Sequence, residues 1–121
     1  MPKKIMVVDD EDNILLLVEG VLRASGFQVV TANSGSECLK LLPKEKPDLV
    51  LLDIMMPEMS GIRVAEAIRS DPKTKNLKIA FLTVVMSHEL NSGRLKKVKA
   101  LDYIKKPFDN EDLVRRVRKL L

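Results

Sequence analysis

Three acidic residues, a threonine and a lysine stand where short apolar runs end. Ile5-Met6-Val7-Val8 runs into Asp9-Asp10-Glu11, and Leu49-Val50-Leu51-Leu52 into Asp53. Ile79-Ala80-Phe81-Leu82 runs into Thr83, and Tyr103-Ile104 into Lys105-Lys106-Pro107. If these runs are neighbouring strands, Asp9, Asp10 and Asp53 meet at one sheet edge, where like charges repel and raise one another's pKa. A hard divalent cation with oxygen ligands relieves that cost, and magnesium accepts a site of few carboxylates plus waters. Lys106 offsets more of the charge. An oxyanion is then welcome beside this lysine and the Thr83 hydroxyl. Such parts suit phosphoryl transfer, where positioning and charge neutralisation do most of the work. Carboxylates can accept a phosphoryl group. Asp53 stands alone at the end of its run, whereas Asp9 and Asp10 are paired and better placed to hold metal.

Each residue also has a blander reading. A lone Asp after an apolar run is usually a turn or cap residue. An acidic run such as Asp9-Asp10-Glu11-Asp12 is usually the first turn of a helix, favoured by its dipole. A lone Thr or Lys at a strand end is commonplace. The recurrence of such residues at four strand ends points to a site.

The elements that must position these groups alternate along the chain. Short apolar segments at Lys4 to Asp9, Phe27 to Ala32, Leu49 to Asp53, Ile79 to Thr83 and Tyr103 to Lys105 read as strands. Runs without polar alternation, such as Val50-Leu51-Leu52, suit strands covered on both faces of a parallel sheet. Between them lie stripes at helical spacing: Ile14, Leu17, Val18, Val21 and Leu22; then Cys38, Leu41 and Leu42; then Ile62, Val64, Ala65 and Ile68; finally Leu113, Val117, Leu120 and Leu121. Gly26 follows the first helix, Ser34 and Ser60 can cap helix starts, and Asp109 precedes the acidic opening turn of the last. His88 to Lys99 is the weakest helix, because it contains Asn91, Ser92 and Gly93. Five strand–helix repeats predict a doubly wound α/β sheet, whose sites lie at the carboxyl ends of its strands.

With 121 residues, 45% of them hydrophobic and 31% charged, the chain suits one domain spanning 1–121 with one core. No apolar run is long enough to cross a bilayer, so no membrane insertion is expected. The apolar stretch after Lys4 is too short for a signal peptide, and the single Cys38 fits a reducing compartment, so a cytoplasmic protein is expected. Net charge is +4, but Arg94 to Leu121 holds ten Lys/Arg against four Asp/Glu. That balance favours acidic partners. Aromatics at 3% give few stacking platforms, which argues against direct nucleic-acid binding.

These residues fall into a familiar pattern. Val7-Val8-Asp9-Asp10-Glu11, then Asp53-Ile54-Met55-Met56-Pro57-Glu58-Met59-Ser60-Gly61, Thr83, and Tyr103-Ile104-Lys105-Lys106-Pro107-Phe108 resemble the response-regulator receiver domains of two-component signalling over essentially the whole chain. The resemblance implies a flavodoxin-like (βα)5 three-layer sandwich with strand order 2-1-3-4-5. It implies Asp53 as acceptor of phosphate from a sensor histidine kinase or phosphotransfer protein. It implies Mg2+ held by Asp10, with Asp9 assisting, by Asp53 and by the backbone carbonyl of Met55. Lys106, followed by a cis bond to Pro107, would pair with the phosphoryl oxygens. Thr83 and Tyr103 would be the switch pair that remodels the surface of the fourth helix, fifth strand and fifth helix. The protein would then be a switch and not an enzyme acting on other substrates, working as a monomer or a phosphorylation-dependent homodimer.

Three positions depart from the pattern. The usually small residue after the threonine is Val84. The usual glycine before the fifth strand is missing from Lys99-Ala100-Leu101-Asp102. The positions two after the acceptor and two after the threonine, which influence self-hydrolysis, are the apolar Met55 and Val85. The alternative is therefore a degenerate receiver that binds partners without being phosphorylated. A flavin-binding relative would want a phosphate-cradling loop where Asp9-Asp10-Glu11-Asp12 stands. An aspartate-based phosphatase would want a second Asp at Met55. Ending at Leu121, the sequence is expected either to act alone or to be cut from a longer regulator. Kinase, signal and downstream target are not written in it.

Overall fold

Because side chains alternate across a strand, a run that is apolar throughout serves two cores at once. Ile5, Val7, Leu49, Leu51, Ala80, Leu82 and Ile104 line one face of a parallel sheet, while Met6, Val8, Val50, Leu52, Ile79 and Phe81 line the other. The computed structural model describes residues 2–84 and 93–121, Arg94 by its backbone alone. The strands are β1 (Lys4–Val8), β2 (Gln28–Ala32), β3 (Leu49–Asp53), β4 (Lys78–Thr83) and β5 (Asp102–Lys105), in the order β2-β1-β3-β4-β5. The helices are α1 (Asp12–Ala24), α2 (Gly35–Glu45), α3 (Gly61–Ser70), α4 (Gly93–Val98) and α5 (Asn110–Leu120). Helices α1 and α5 cover the first face; α2, α3 and α4 cover the second. This is the expected three-layer sandwich, with strand bounds within a residue of the apolar runs.

Capping follows the sequence. Ser34 and Ser60 accept from the backbone N–H of Glu37 and Arg63, and Asp109 accepts from that of Asp112. Gly26, at φ 96°, turns the chain out of α1. One stripe needs correction. Leu17 is exposed, and Leu15 joins Val18 and Leu22 in the core instead. The run Ile14-Leu15-Leu16-Leu17-Val18 offers several apolar faces, and contact with the sheet selects among them. Of the weak fourth helix, Gly93–Val98 is helical; His88 to Ser92 and Val85 lie outside the described residues.

The missing glycine before β5 has a structural counterpart. Lys99 sits at φ 53°, in the left-handed region where a Cβ costs about 1–2 kcal/mol. The chain turns from α4 towards β5 there, held by the Leu101 N–H donating to Ile79 O at 2.8 Å.

Candidate functional site

Strand register brings the acids together. Val8 pairs with Leu52, so the next residues, Asp9 and Asp53, leave the sheet side by side. Asp53 in turn pairs with Leu82, and Thr83 with Lys105, so Thr83 and Lys106 follow on the other side of Asp53. Oxygens of Asp9, Asp10 and Asp53 lie within 4.8 Å of one another. Asp9 and Asp53 are buried, at 0% and 3% exposure, as is Thr83, while Asp10 is exposed.

The hydrogen bonds divide the work. Asp9 accepts from the Glu11 backbone N–H through Oδ1 at 3.0 Å and from Lys106 Nζ through Oδ2 at 2.6 Å. Lys106 Nζ also lies 3.5 Å from Asp53 Oδ1, which accepts from the Met55 N–H at 3.2 Å. Among the described residues, no bond is made to Asp53 Oδ2, and no buried side-chain oxygen lacks a partner. Among the described residues, Oδ2 is thus the oxygen of Asp53 left unengaged. Lys106 is followed by a cis peptide bond to Pro107, and its own N–H donates to Thr83 O at 2.8 Å. That hydrogen bond ties the lysine backbone to the end of β4.

One ammonium does not balance three carboxylates. Burial, then the charge of Asp9, push the Asp53 carboxyl up to about 6, against the pull of Lys106 and the Met55 N–H. For Lys106, burial works against the charge, but the Asp9 hydrogen bond and the two carboxylates outweigh it and hold the ammonium above the ordinary lysine range. A cluster of hard oxygen donors with surplus negative charge, one member exposed and one carrying a free oxygen, fits a magnesium ion that keeps several waters.

The glycine of the acidic motif closes the site from below. The chain leaves β3 through Ile54 to Ser60, with Glu58 at φ 65°, and returns so that the Gly61 N–H donates to Ile54 O at 2.9 Å. A Cβ on Gly61 would stand 2.1 Å from Asp53 O and 2.9 Å from Ile54 Cα. The spacing of eight from Asp53 to Gly61 is thus a backbone-to-backbone contact that sets where Asp53 points, a role the sequence alone did not reveal. Gly61→Ala is expected to destabilise the protein by about 3 kcal/mol or more, since backbone cannot yield as a side-chain tip can. Chemical denaturation would check this; a loss below about 1 kcal/mol would contradict it.

Tyr103 is half-buried on β5, its ring stacked on Phe81 with centroids 5.7 Å apart. Burial raises its pKa, so the phenol is neutral at physiological pH. Met55 (62% exposed) and Val84 (57% exposed) flank the acidic edge. Met55 thus stands in the open, beside the buried Asp53 whose oxygen its N–H holds.

Comparison with known proteins agrees with this geometry. The family model of the response regulator receiver domain matches residues 5–118. The alkaline phosphatase synthesis transcriptional regulatory protein PhoP of Bacillus subtilis is 37% identical over 121 residues, all of this chain and 49% of that protein. Chemotaxis protein CheY4 of Vibrio cholerae superposes with a TM-score of 0.93 at 31% identity, covering both chains completely. Response regulator protein TrrA of Thermotoga maritima, solved in complex with Mg2+-BeF, gives a TM-score of 0.85 at 42% identity over 98% of this chain and 99% of its own. The chain spans about half the length of the first curated relatives it matches.

Proposed function

Since the chain belongs to the response regulator receiver domain family, we propose that residues 1–121 form one phosphorylation switch in which Asp53 is the phosphoacceptor. The observation that carries this reading is the buried Asp53 carboxylate, its Oδ1 held by the Met55 N–H and flanked by Lys106, and its Oδ2 unengaged among the described residues. Asp53 Oδ2 attacks the phosphorus of a phosphohistidine on a sensor kinase or phosphotransfer protein. A P–O bond forms, the P–N bond breaks, and the departing imidazole takes up a proton.

Asp10 and Asp53, with Asp9 and the Met55 carbonyl, would hold Mg2+, which when bound neutralises charge on the carboxylates and the incoming phosphoryl oxygens. Lys106 turns from Asp9 and Asp53 towards the new phosphoryl oxygens, as a lysine does at phosphate sites. The Thr83 hydroxyl donates to the phosphoryl group, and Tyr103 leaves its half-exposed position behind it. The new charge-assisted contacts bias a two-state surface around α4, β5 and α5. Output is by partner binding; the downstream partner is not identified by the residues.

Incubation with a small phosphodonor and Mg2+, followed by intact mass, tests the reading. One phosphate is expected, and no incorporation would favour the degenerate receiver instead. The exposed Val84 beside Thr83 is the observation behind that alternative. Lifetime is a second expected result. Met55 and Val85 are apolar and cannot orient an attacking water. The labelled phosphoprotein should decay slowly in Mg2+, and a half-life of seconds would refute this.

No helix among the described residues is long and apolar enough to cross a membrane. We propose a cytoplasmic protein, consistent with the buried, free Cys38, whose thiol burial pushes up to about 12, holding it protonated and inert.

A further inference from the structure

At the opposite edge of the sheet, where β4 begins and the chain enters β5, a cleft of about 510 Å3 is lined by Arg69, Lys75, Lys78, Lys97 and Lys99, with no acidic residue in its wall. Some basic side chains pair with acids, Lys4 with Glu45, Arg23 with Glu19, and Arg116 with Asp102 and Asp112. Others, such as Lys40, Lys44 and Lys119, stand singly on the surface, whereas here five cations surround one cleft. The four lysines of the cleft have no side-chain acceptor among the described residues. A cleft walled by one sign of charge raises the local concentration of counter-ions.

The ordinary explanation for such lysines is that they serve the carbonyls ending a helix. Here that work is done by Arg69. Its Nε donates to Val98 O at 2.6 Å, its Nη2 to Lys99 O at 3.4 Å, and its Nη1 to Lys75 O and Leu77 O. The guanidinium is spent on backbone, and the ammoniums stand free around it.

We propose that this cleft is a binding site for an oligophosphate anion. Charge density selects that class. An extended acidic peptide places carboxylates on one side only about every 7 Å, too sparse for four cations around one small cleft. A phosphate chain carries as many charges within a single compact group, and lysine is a point-charge phosphate ligand. Leu77 and Leu101, the latter 51% exposed, add an apolar wall beside the charges. The anion could be a free phosphate chain or the tail of a nucleotide. The site is independent of the Asp53 reading.

Amide spectra of the labelled protein, titrated in EDTA at physiological salt with tripolyphosphate, ATP and a hexaglutamate peptide, test this. Saturable shifts at residues 75–78 and 97–101 are expected with tripolyphosphate. Further shifts at Leu77 and Leu101 with ATP would assign the site to a nucleotide, and equal binding of the two to the phosphate chain itself. The triple variant K75Q/K78Q/K97Q keeps the side-chain stems of exposed residues and should retain its spectrum. It should weaken binding roughly tenfold or more while leaving phosphorylation of Asp53 unchanged. Shifts spread evenly over α5, binding of hexaglutamate as tight as tripolyphosphate, or an unaffected triple variant would each overturn the proposal.

Discussion

Asp53→Asn should abolish phosphate incorporation while leaving the fold intact. Asparagine keeps the shape of the side chain and an oxygen that can accept from the Met55 N–H, as Asp53 Oδ1 does at 3.2 Å. It removes the anionic nucleophile, and no neighbour can replace it. Asp9 has both oxygens engaged, by Glu11 N–H and by Lys106, and is fully buried. Asp10 is exposed and, among the described residues, pairs with no lysine. Intact mass after treatment with a phosphodonor and Mg2+ should therefore show one added phosphate in the wild type and none in the variant. Equal incorporation in both would place the acceptor elsewhere.

The same substitution should make the metal-free protein more stable near neutral pH. Asp53 titrates at about 6 in the folded chain against 3.8 for an ordinary aspartate. Because the folded value is the higher one, the contribution of this group is fully present below pH 3.8 and is lost as pH rises through about 6. At 1.36 kcal/mol per unit, roughly 2–3 kcal/mol separates the two limits. The side chain is almost wholly buried, so solvent screening removes little of it. Denaturation in EDTA should show Asp53→Asn ahead of wild type by that order at pH 7.5, with the gap closing towards pH 4. A gap that is constant with pH, or that widens in acid, would contradict the electrostatic reading. Lost phosphorylation together with gained stability is what a strained, functional charge predicts.

Much of this was legible in the sequence because the relevant signals are local. Unbroken apolar runs gave strands buried on both faces, and the residue ending each run was necessarily at the carboxyl edge of the sheet. Asp9, Asp53, Thr83 and Lys106 could be picked out on that basis alone. What escaped depended on contacts between distant segments. Leu15 and Leu17 are equally apolar, and only the position of the sheet decides which is buried. Gly61 was visible as part of a motif, but its reason, a close approach to the Asp53 carbonyl, exists only once α3 stacks beneath β3. Nothing in the local sequence marks Arg69, because its four carbonyl partners come from the α3–β4 connection and the end of α4. The choice of Asp53 over Asp9 as acceptor gained support of a kind the chain order could not supply, namely which oxygens were already engaged.

The switch role proposed for Thr83 and Tyr103 needs the phosphorylated protein. The stacked, half-buried ring of Tyr103 is compatible with simple packing on Phe81, and its inward rotation is a proposal that rests on resemblance alone. The phosphorylated state would reveal it as a change in the exposure of that ring.

Titration of the metal-free protein with Mg2+ by calorimetry at neutral pH reaches the central claim most directly, namely that the gathered carboxylates form a pocket with surplus charge awaiting a dication. Saturable binding at one site is predicted, with a raised thermal midpoint in the wild type and marked weakening in Asp10→Asn and Asp53→Asn. No binding heat and an unmoved midpoint in the wild type, or variants that bind as well as it does, would contradict the account.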